Sequence, residues 1–324
     1  MATATSTYEK QLEKICNYAG FIAALDQSGG STPKALKLYG ISDNSYVKGE
    51  SSMFDKMHSF RERIMKSSKF NGDRIIGAIL FENTLCRTIS AQVQNEDGGG
   101  TTVSVNKPTA QYLWDDLEIV PFLKIDQGLM DEHDGVQNMK EMKNLTSLLD
   151  LAVEHKVFGT KARSFIKHAN EEGIKSNVEQ QFTVARTVMQ RGLHPIIEPE
   201  VDIKLQAEEK QRAETMLKAA LLENLNKLHP TDEKVLLKLT LPTIDNFYKE
   251  CIDHPNVLRV VALSGGYDRK TANSILARNE NVVASFSRAL TEGLAVDDTS
   301  DEFDQKLDDS IESIYLASVS GMYG

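Results

Sequence analysis

The chain has 324 residues, of which 40% are hydrophobic and 26% are charged, and it contains three cysteines. This balance is typical of a globular protein with a sizeable core and excludes a disordered, collagen-like or disulfide-stapled chain. The formal net charge of −10 repels phosphate backbones and anionic lipid, and no apolar run reaches the roughly 20 residues of a membrane helix, so nucleic-acid and membrane roles are disfavoured.

The first ten residues and the cysteines predict a cytoplasmic protein. The segment MATATSTYEK carries an early Glu9 and has neither the apolar core of a signal peptide nor the Arg-rich face of a transit peptide. Cys16, Cys86 and Cys251 are widely separated and form no CxxC pair, as expected of reduced thiols.

Short β-rich runs alternate with longer amphipathic runs along the chain. Strands are predicted at 21–26, 74–82, 121–128, 158–163, 194–202, 235–242, 258–266 and 282–290. Helices are predicted at 7–18, around 139–154, and at 179–190, 206–228, 268–277 and 301–318. The first helix follows a possible capping box formed by Ser6 and Glu9.

This alternation predicts an α/β protein with a (β/α)8 TIM barrel, because strands apolar on both faces indicate a parallel sheet that helices cover. We expect a single domain over 1–324, with an N-terminal helical segment at 1–20 and a C-terminal helix and tail at 291–324. A (β/α)8 barrel typically has about 250 residues, and we expect the additional residues of this chain to lie in the segments 27–73 and 83–120. A doubly wound open sheet is the alternative, weakened because the first strand ends in LDQSGGS instead of GxGxxG and no segment matches a P-loop.

Polar residues end or follow the predicted strands, and in a barrel these ends meet at the active-site face. They are Asp26, Lys124, Asp126, Lys161, Arg163, Glu198, Glu200, Asp202, Lys238, Ser264, Gly265, Gly266 and Arg288. Several lie two residues apart, which places them on a common strand face, so acids and bases converge if those faces point inward.

Lys238 is the most informative of these residues, because it interrupts the apolar run VLLKLTLP in a strand that has no solvent side. One interpretation is a buried ion pair with Glu198 or Glu200. The other is an amine nucleophile, for which the pKa of a lysine must fall from about 10.4 to roughly 7–8. Apolar walls and a second cation such as Lys161 would act in that direction.

Two groups of residues are candidate phosphate sites. Ser264, Gly265 and Gly266 precede a predicted helix, where backbone N–H groups can approach an anion, although a plain βα turn would also use two glycines. Arg288, on the predicted eighth strand, could complete this site. A second anion contact could come from residues 28–31.

Lys124 or Arg163 would lie opposite that second contact, although a salt bridge to a carboxylate is an equal alternative for Arg163. The seven histidines are scattered without metal-ligand spacing, and neither a GxSxG elbow nor a cysteine at a strand end offers another nucleophile. We therefore expect no metal site and no cofactor.

Seven motifs together resemble one enzyme family over residues 21–290. In chain order they are ALDQSGGS, FLKIDQG, GTKAR, IIEPEVD, LLKLTLP, ALSGG and SFSRAL. They resemble the class I, Schiff-base fructose-bisphosphate aldolases. The resemblance implies metal-independent, reversible cleavage of fructose 1,6-bisphosphate to dihydroxyacetone phosphate and glyceraldehyde 3-phosphate, in glycolysis and gluconeogenesis, by a homo-oligomer.

The resemblance also implies residue roles. Lys238 would form the Schiff base, Glu198 would dehydrate the carbinolamine, and Asp26 would handle the C4 hydroxyl proton. Lys161 would be the neighbouring ammonium group, and Glu200 would orient and pair with the lysines. The implied phosphate contacts are Ser264, Gly265, Gly266 and Arg288 for the C1 phosphate, and Ser31, Lys124 and Arg163 for the C6 phosphate.

Three positions depart from the animal enzymes of this family. Gln27 stands where they carry an acid, Ala162 where they carry Trp, and Ser287 where they carry Gly. The last change touches a backbone contact to the C1 phosphate. Tyr323 is near the end of the chain, where some members use a terminal Tyr in proton transfer.

Two other functions remain as alternatives. One is another lysine-imine barrel, transaldolase-like or deoxyribose-phosphate-like, which would not need two phosphate sites. The other is a catalytically silent scaffold that binds protein partners, against which the presence of Lys238, Glu198 and Asp26 argues.

Overall fold

Eight parallel strands form a nearly closed barrel in the computed structural model, which describes residues 6–94 and 102–322; Tyr323 lies outside them. In chain order the barrel strands are β1 (Phe21–Leu25), β2 (Ile75–Leu80), β3 (Val120–Lys124), β4 (Gly159–Ile166), β5 (His194–Val201), β6 (Val235–Thr240), β7 (Val257–Leu263) and β8 (Val282–Ala284). Each strand pairs with the next along the chain. β8 returns to β1 through a hydrogen bond that the Ala24 N–H donates to the Phe286 carbonyl at 3.2 Å. The prediction of a TIM barrel is confirmed, and the open-sheet alternative is wrong.

Helices connect the strands and cover the outside of the barrel. They are α1 (Thr7–Asn17), α2 (Thr32–Leu38), α3 (Ser51–Lys66), α4 (Glu82–Leu85), α5 (Thr109–Asp115), α6 (Leu145–Glu154), α7 (Glu171–Met189), α8 (Ala207–Leu225), α9 (Lys249–Ile252), α10 (Arg269–Leu276), α11 (Arg288–Thr291) and α12 (Ser300–Ser320), with a 3-10 turn at Asp43–Ser45. The predicted Ser6/Glu9 capping box at α1 is confirmed. Within the described ranges, we find no helix long and apolar enough to cross a membrane.

The two faces of each strand pack into different apolar clusters. On β1, Phe21, Ala23 and Leu25 belong to the cluster between the strands and the helices. Ile22 and Ala24 belong to a second cluster, which fills the barrel interior. Alternate residues of a strand point to opposite faces, so this division identifies which side chains face inward.

The predicted boundaries of β8 and α6 differ from those in the structure. β8 ends at Ala284, and Arg288 begins α11, because the backbone leaves the extended conformation at Ser287 (φ −104°, ψ −73°). Met139 is not helical: it forms an isolated antiparallel bridge with Leu129, and α6 begins at Leu145.

Two segments that the prediction left without structure are ordered elements. The segment 27–73 contains α2 and the sixteen-residue α3. The segment 83–120 contains an antiparallel hairpin of Thr88–Gln94 and Thr102–Pro108, followed by α5.

Candidate active site

The polar residues at the strand ends continue the inward faces of the barrel. Lys238 lies two residues beyond Leu236, and Glu198 lies two beyond Ile196, and both apolar residues pack in the interior cluster. Asp26 follows Ala24 in the same way. A charged layer therefore lies directly on the apolar interior of the barrel.

This layer forms the floor of a cavity of 860 Å³ at the C-terminal ends of the strands. Of the twelve predicted site residues, all line the cavity except Gly266. They are Asp26, Ser31, Lys124, Lys161, Arg163, Glu198, Glu200, Lys238, Ser264, Gly265 and Arg288. The structure thus brings together residues that span more than 260 positions of sequence.

Lys161 is the centre of the charged layer. Its Nζ lies 2.6 Å from Asp26 Oδ2, 2.9 Å from Glu198 Oε2 and 4.0 Å from Asp126 Oδ2. Lys161 and both of its closer partners are buried. Three carboxylates therefore surround one ammonium group in a region with little solvent.

These contacts fix the charges of both partners. Burial alone would raise the pKa of Asp26, but the ammonium groups of Lys161 and then Lys238 outweigh burial and hold this pKa well below its usual range. Burial likewise opposes the charged form of Lys161, yet the carboxylates of Asp26 and Glu198 raise its pKa. Asp26 is therefore an anion, and Lys161 a cation, at neutral pH.

Glu198 stands between the two lysines of the layer. Its Oε1 lies 3.1 Å from Lys238 Nζ, and its Oε2 faces Lys161. The contact to Lys161 is short enough for an ion pair, but its angle is not that of a hydrogen bond, so Oε2 has no hydrogen-bond partner among the described residues. The carboxylate keeps lone pairs available beside the Lys238 amine.

Arg163 and Glu200 form a separate pair above this layer. Arg163 Nε lies 2.5 Å from Glu200 Oε2, and burial, which opposes the charge, is outweighed by Glu200, so the pKa of Arg163 is raised. The salt bridge considered as an alternative for Arg163 is therefore present. Glu200 contacts this arginine and, among the described residues, no lysine nitrogen within 4.0 Å, which differs from the expected pairing with the lysines.

Ser264, Gly265 and Arg288 lie together on the β7 and β8 side of the cavity. Gly265 and Gly266 have φ values of +59° and +123°. A Cβ on Gly266 would lie 3.2 Å from the Arg288 guanidinium, so the arginine packs closely over a backbone that glycine leaves open. Arg288 is exposed and directs its charge to the cavity rim.

Ser31 and Lys124 lie on the opposite side. Ser31 closes a turn in which its Oγ accepts a hydrogen bond from the Ser28 N–H at 3.1 Å. Lys124 Nζ donates to Asp126 at 2.7 Å, both to the side chain and to the backbone carbonyl. Asp126 also accepts a hydrogen bond from the Arg163 N–H at 3.1 Å.

Some residues of the site were not predicted. Asp126 was placed at the strand end but received no role, although its spacing from Lys124 was a signal. Arg61, on α3, is buried behind the site and donates to the Gln27 carbonyl at 2.6 Å. Local sequence gave no signal for this long-range contact.

Comparison with known proteins identifies the family. No family model matches the chain. Curated relatives include class 1 fructose-bisphosphate aldolases of Synechocystis sp., 53% identical over 312 residues (96% of this chain and 98% of the relative), and of Clostridium acetobutylicum, 51% identical over 312 residues (96% and 99%). The enzyme of the same name from Porphyromonas gingivalis is 51% identical over 311 residues (96% and 99%).

The chain belongs to the class 1 fructose-bisphosphate aldolase family. A solved structure of the Plasmodium falciparum fructose-bisphosphate aldolase, in complex with TRAP and a small-molecule inhibitor, has the same fold, with a TM-score of 0.66 and 22% identity. It covers 98% of this chain and 96% of its own.

Two of the departures from the animal aldolases contact each other. Gln27 Nε2 donates to Ser287 Oγ at 2.7 Å, and Gln27 Oε1 accepts from Arg61 at 3.1 Å. The third departure, Ala162, packs between strands and helices and does not line the cavity. In this aldolase a neutral amide thus joins the ends of β1 and β8 where the animal enzymes carry an acid and a glycine.

Proposed function

We propose that this chain catalyses the reversible cleavage of fructose 1,6-bisphosphate to dihydroxyacetone phosphate and glyceraldehyde 3-phosphate, with Lys238 as the amine that forms a Schiff base. One observation carries the assignment of Lys238: its Nζ is buried at the floor of the cavity with the Glu198 carboxylate 3.1 Å away. The curated relatives support the reaction.

Glu198 is the acid and base of imine formation. Glu198 takes a proton from the Lys238 ammonium group, and the amine then attacks C2 of the substrate while Glu198 passes this proton to the C2 oxygen. Glu198 next takes a proton from the nitrogen of the carbinolamine. Glu198 then returns a proton to the carbinolamine hydroxyl, which leaves as water. Its place beside Lys238 suits these transfers, as does its Oε2, which forms no aligned hydrogen bond with any residue in 6–94 or 102–322.

Asp26 accepts the C4 hydroxyl proton as the C3–C4 bond breaks. The electron pair of that bond passes into the protonated imine and forms an enamine, and glyceraldehyde 3-phosphate leaves. Asp26 is ionised and so can accept a proton, but its contact with Lys161 makes it a weak base. Proton transfer therefore requires this 2.6 Å contact to lengthen when substrate binds.

The two phosphates bind on opposite sides of the cavity. Ser264, Gly265, Gly266 and Arg288 hold the C1 phosphate, and Ser31, Lys124 and Arg163 hold the C6 phosphate. Assembly into a homo-oligomer and a cytoplasmic location remain predictions.

Replacing Lys238 tests the proposal. The variant Lys238→Met keeps the size and apolar stem of the side chain but removes the amine, so we expect kcat to fall by at least about 1,000-fold, since covalent chemistry is lost. The measurement is the rate of triose phosphate release from fructose 1,6-bisphosphate.

Lys204→Met is the matched control, because Lys204 is exposed and lies outside the cavity. It should keep the wild-type rate. Turnover of the folded Lys238→Met protein within tenfold of wild type would remove Lys238 from the chemistry.

A further inference from the structure

The cavity contains more cations than its carboxylates neutralise. Its cationic side chains are Lys34, Lys124, Lys140, Lys161, Arg163, Lys238 and Arg288, and its carboxylates are Asp26, Asp126, Glu198 and Glu200. Each phosphate monoester carries about 1.5 to 2 negative charges at pH 7. The excess cations are therefore the charges available to a ligand with two phosphates.

Four of the seven cations are already paired. Lys124 lies 2.7 Å from Asp126, Arg163 lies 2.5 Å from Glu200, and Lys161 and Lys238 share Glu198. Lys34, Lys140 and Arg288 have no carboxylate of the described residues within 4.0 Å. Lys124 and Arg163, the cations proposed above for the C6 phosphate, thus have their charge largely offset.

The unpaired cations lie on different sides of the cavity. Arg288 lies beside Gly266, at the end of β8. Lys140 lies across the cavity, where its N–H donates to the Gly128 carbonyl at 2.9 Å, just beyond the end of β3. Val136–Gln137 pairs with β4 in the same segment, so Lys140 lies on the β3 and β4 side of the cavity, the side on which Lys124 and Arg163 also lie.

We propose that Lys140 binds the phosphate at C6 of fructose 1,6-bisphosphate, which is also the phosphate of glyceraldehyde 3-phosphate. This inference rests on the proposed function. An exposed, unpaired ammonium group can approach a phosphate at the cost of side-chain ordering alone, whereas a paired cation would have to separate from its carboxylate. Lys34, on α2, adds a second unpaired cation at this mouth of the cavity.

The condensation direction tests the assignment, because each phosphate then belongs to a separate substrate. For Lys140→Ala we expect the KM for glyceraldehyde 3-phosphate to rise by about threefold to tenfold, as for loss of one exposed charge-assisted contact. The KM for dihydroxyacetone phosphate and kcat should stay within twofold of wild type. Lys140→Arg should keep most of the wild-type KM because it keeps the charge.

Lys143→Ala is the matched control, since Lys143 is exposed in the same segment and does not line the cavity. Equal changes in both KM values, or no change in either, would overturn the role of Lys140 and leave the reaction in place. A wild-type protein that forms no fructose 1,6-bisphosphate would instead overturn the proposed function, and the role of Lys140 with it.

Discussion

At the scale of single residues, the Lys161 ammonium group stabilises the buried carboxylates of the site. Taking the ionised groups of Asp26 and Glu198 out of water is costly, and Lys161 offsets that cost for both. The same contacts offset the charge of Lys161 itself. Its expected role as the ammonium group that assists Lys238 stays a prediction, since two close carboxylates reduce its electrostatic effect on its surroundings.

Lys161→Met should be strongly destabilising at neutral pH, by about 3–5 kcal/mol, because it leaves buried carboxylates without their cation. The measurement is the free energy of unfolding in urea. Lys66→Met is the control: the pair of Lys66 with Glu62 is partly exposed and 3.8 Å long, so its loss should cost less than about 1 kcal/mol.

The loss of unfolding free energy caused by Lys161→Met should also depend on pH. In the wild type the pKa of Asp26 is lowered by folding, so its stabilising contribution is present above about pH 4 and is lost as the pH falls through the folded value. The raised pKa of Lys161 keeps its contribution present at every pH below about 10. Without Lys161 the pKa of Asp26 is higher than in the wild type, because Lys238 and Lys124 alone then oppose the effect of burial, so this carboxyl is protonated more readily in acid. We expect a smaller penalty at pH 4.5 than at pH 7, and equal penalties at both pH values would contradict this account.

At the scale of elements, the junction between β8 and β1 is the place where the described barrel strands form no continuous ladder. This β8–β1 seam consists of the Ala24 N–H to Phe286 carbonyl hydrogen bond and the Gln27 to Ser287 side-chain hydrogen bond. Arg61 donates hydrogen bonds to the backbone carbonyl and the side chain of Gln27. Arg61 is buried, and no carboxylate of the described residues lies within 4.0 Å of it. Burial lowers the pKa of Arg61 to about 10.

Gln27→Ala should open the seam locally. Loss of the side-chain hydrogen bond is worth about 0.5–1.5 kcal/mol, so amide hydrogen exchange at Ala24 should become roughly 2- to 12-fold faster. Gln127→Ala is the control. Gln127 also lines the cavity, but within the described part of the chain its side chain bonds only to the nearby Ile125 carbonyl. Unchanged exchange at Ala24 in the Gln27 variant would show that the backbone alone closes the barrel.

The sequence predicted the features that depend on residues close together in the chain, and it did not predict contacts between distant residues. The barrel strands were predicted because each is a short run apolar on both faces. The polar residues at their predicted ends identified all four carboxylates of the cavity and five of its seven cations. α3 was missed although Met53, Met57, Phe60 and Ile64 repeat at helical spacing and are buried. The contact of Gln27 with Ser287 joins residues 260 positions apart, and no local pattern carries that information.

At the scale of the whole molecule, the barrel separates a charged end from an apolar end. Ile15 of α1 packs in the interior cluster, so α1 covers the end opposite the cavity. Arg259, near the start of β7, donates to the Ile15 and Cys16 carbonyls and holds the C-terminal end of α1 in place. α1 therefore packs against the apolar end of the barrel interior, and the charged layer faces the cavity at the other end.

Covalent trapping tests the central claim, that Lys238 is the Schiff-base nucleophile. The wild-type protein is incubated with dihydroxyacetone phosphate, reduced with borohydride, and analysed by intact-mass and peptide mass spectrometry. We predict one adduct per chain, on the peptide that contains Lys238, because reduction converts the imine into a stable secondary amine. An adduct on Lys161 or another lysine, or no adduct on the folded protein, would contradict the account.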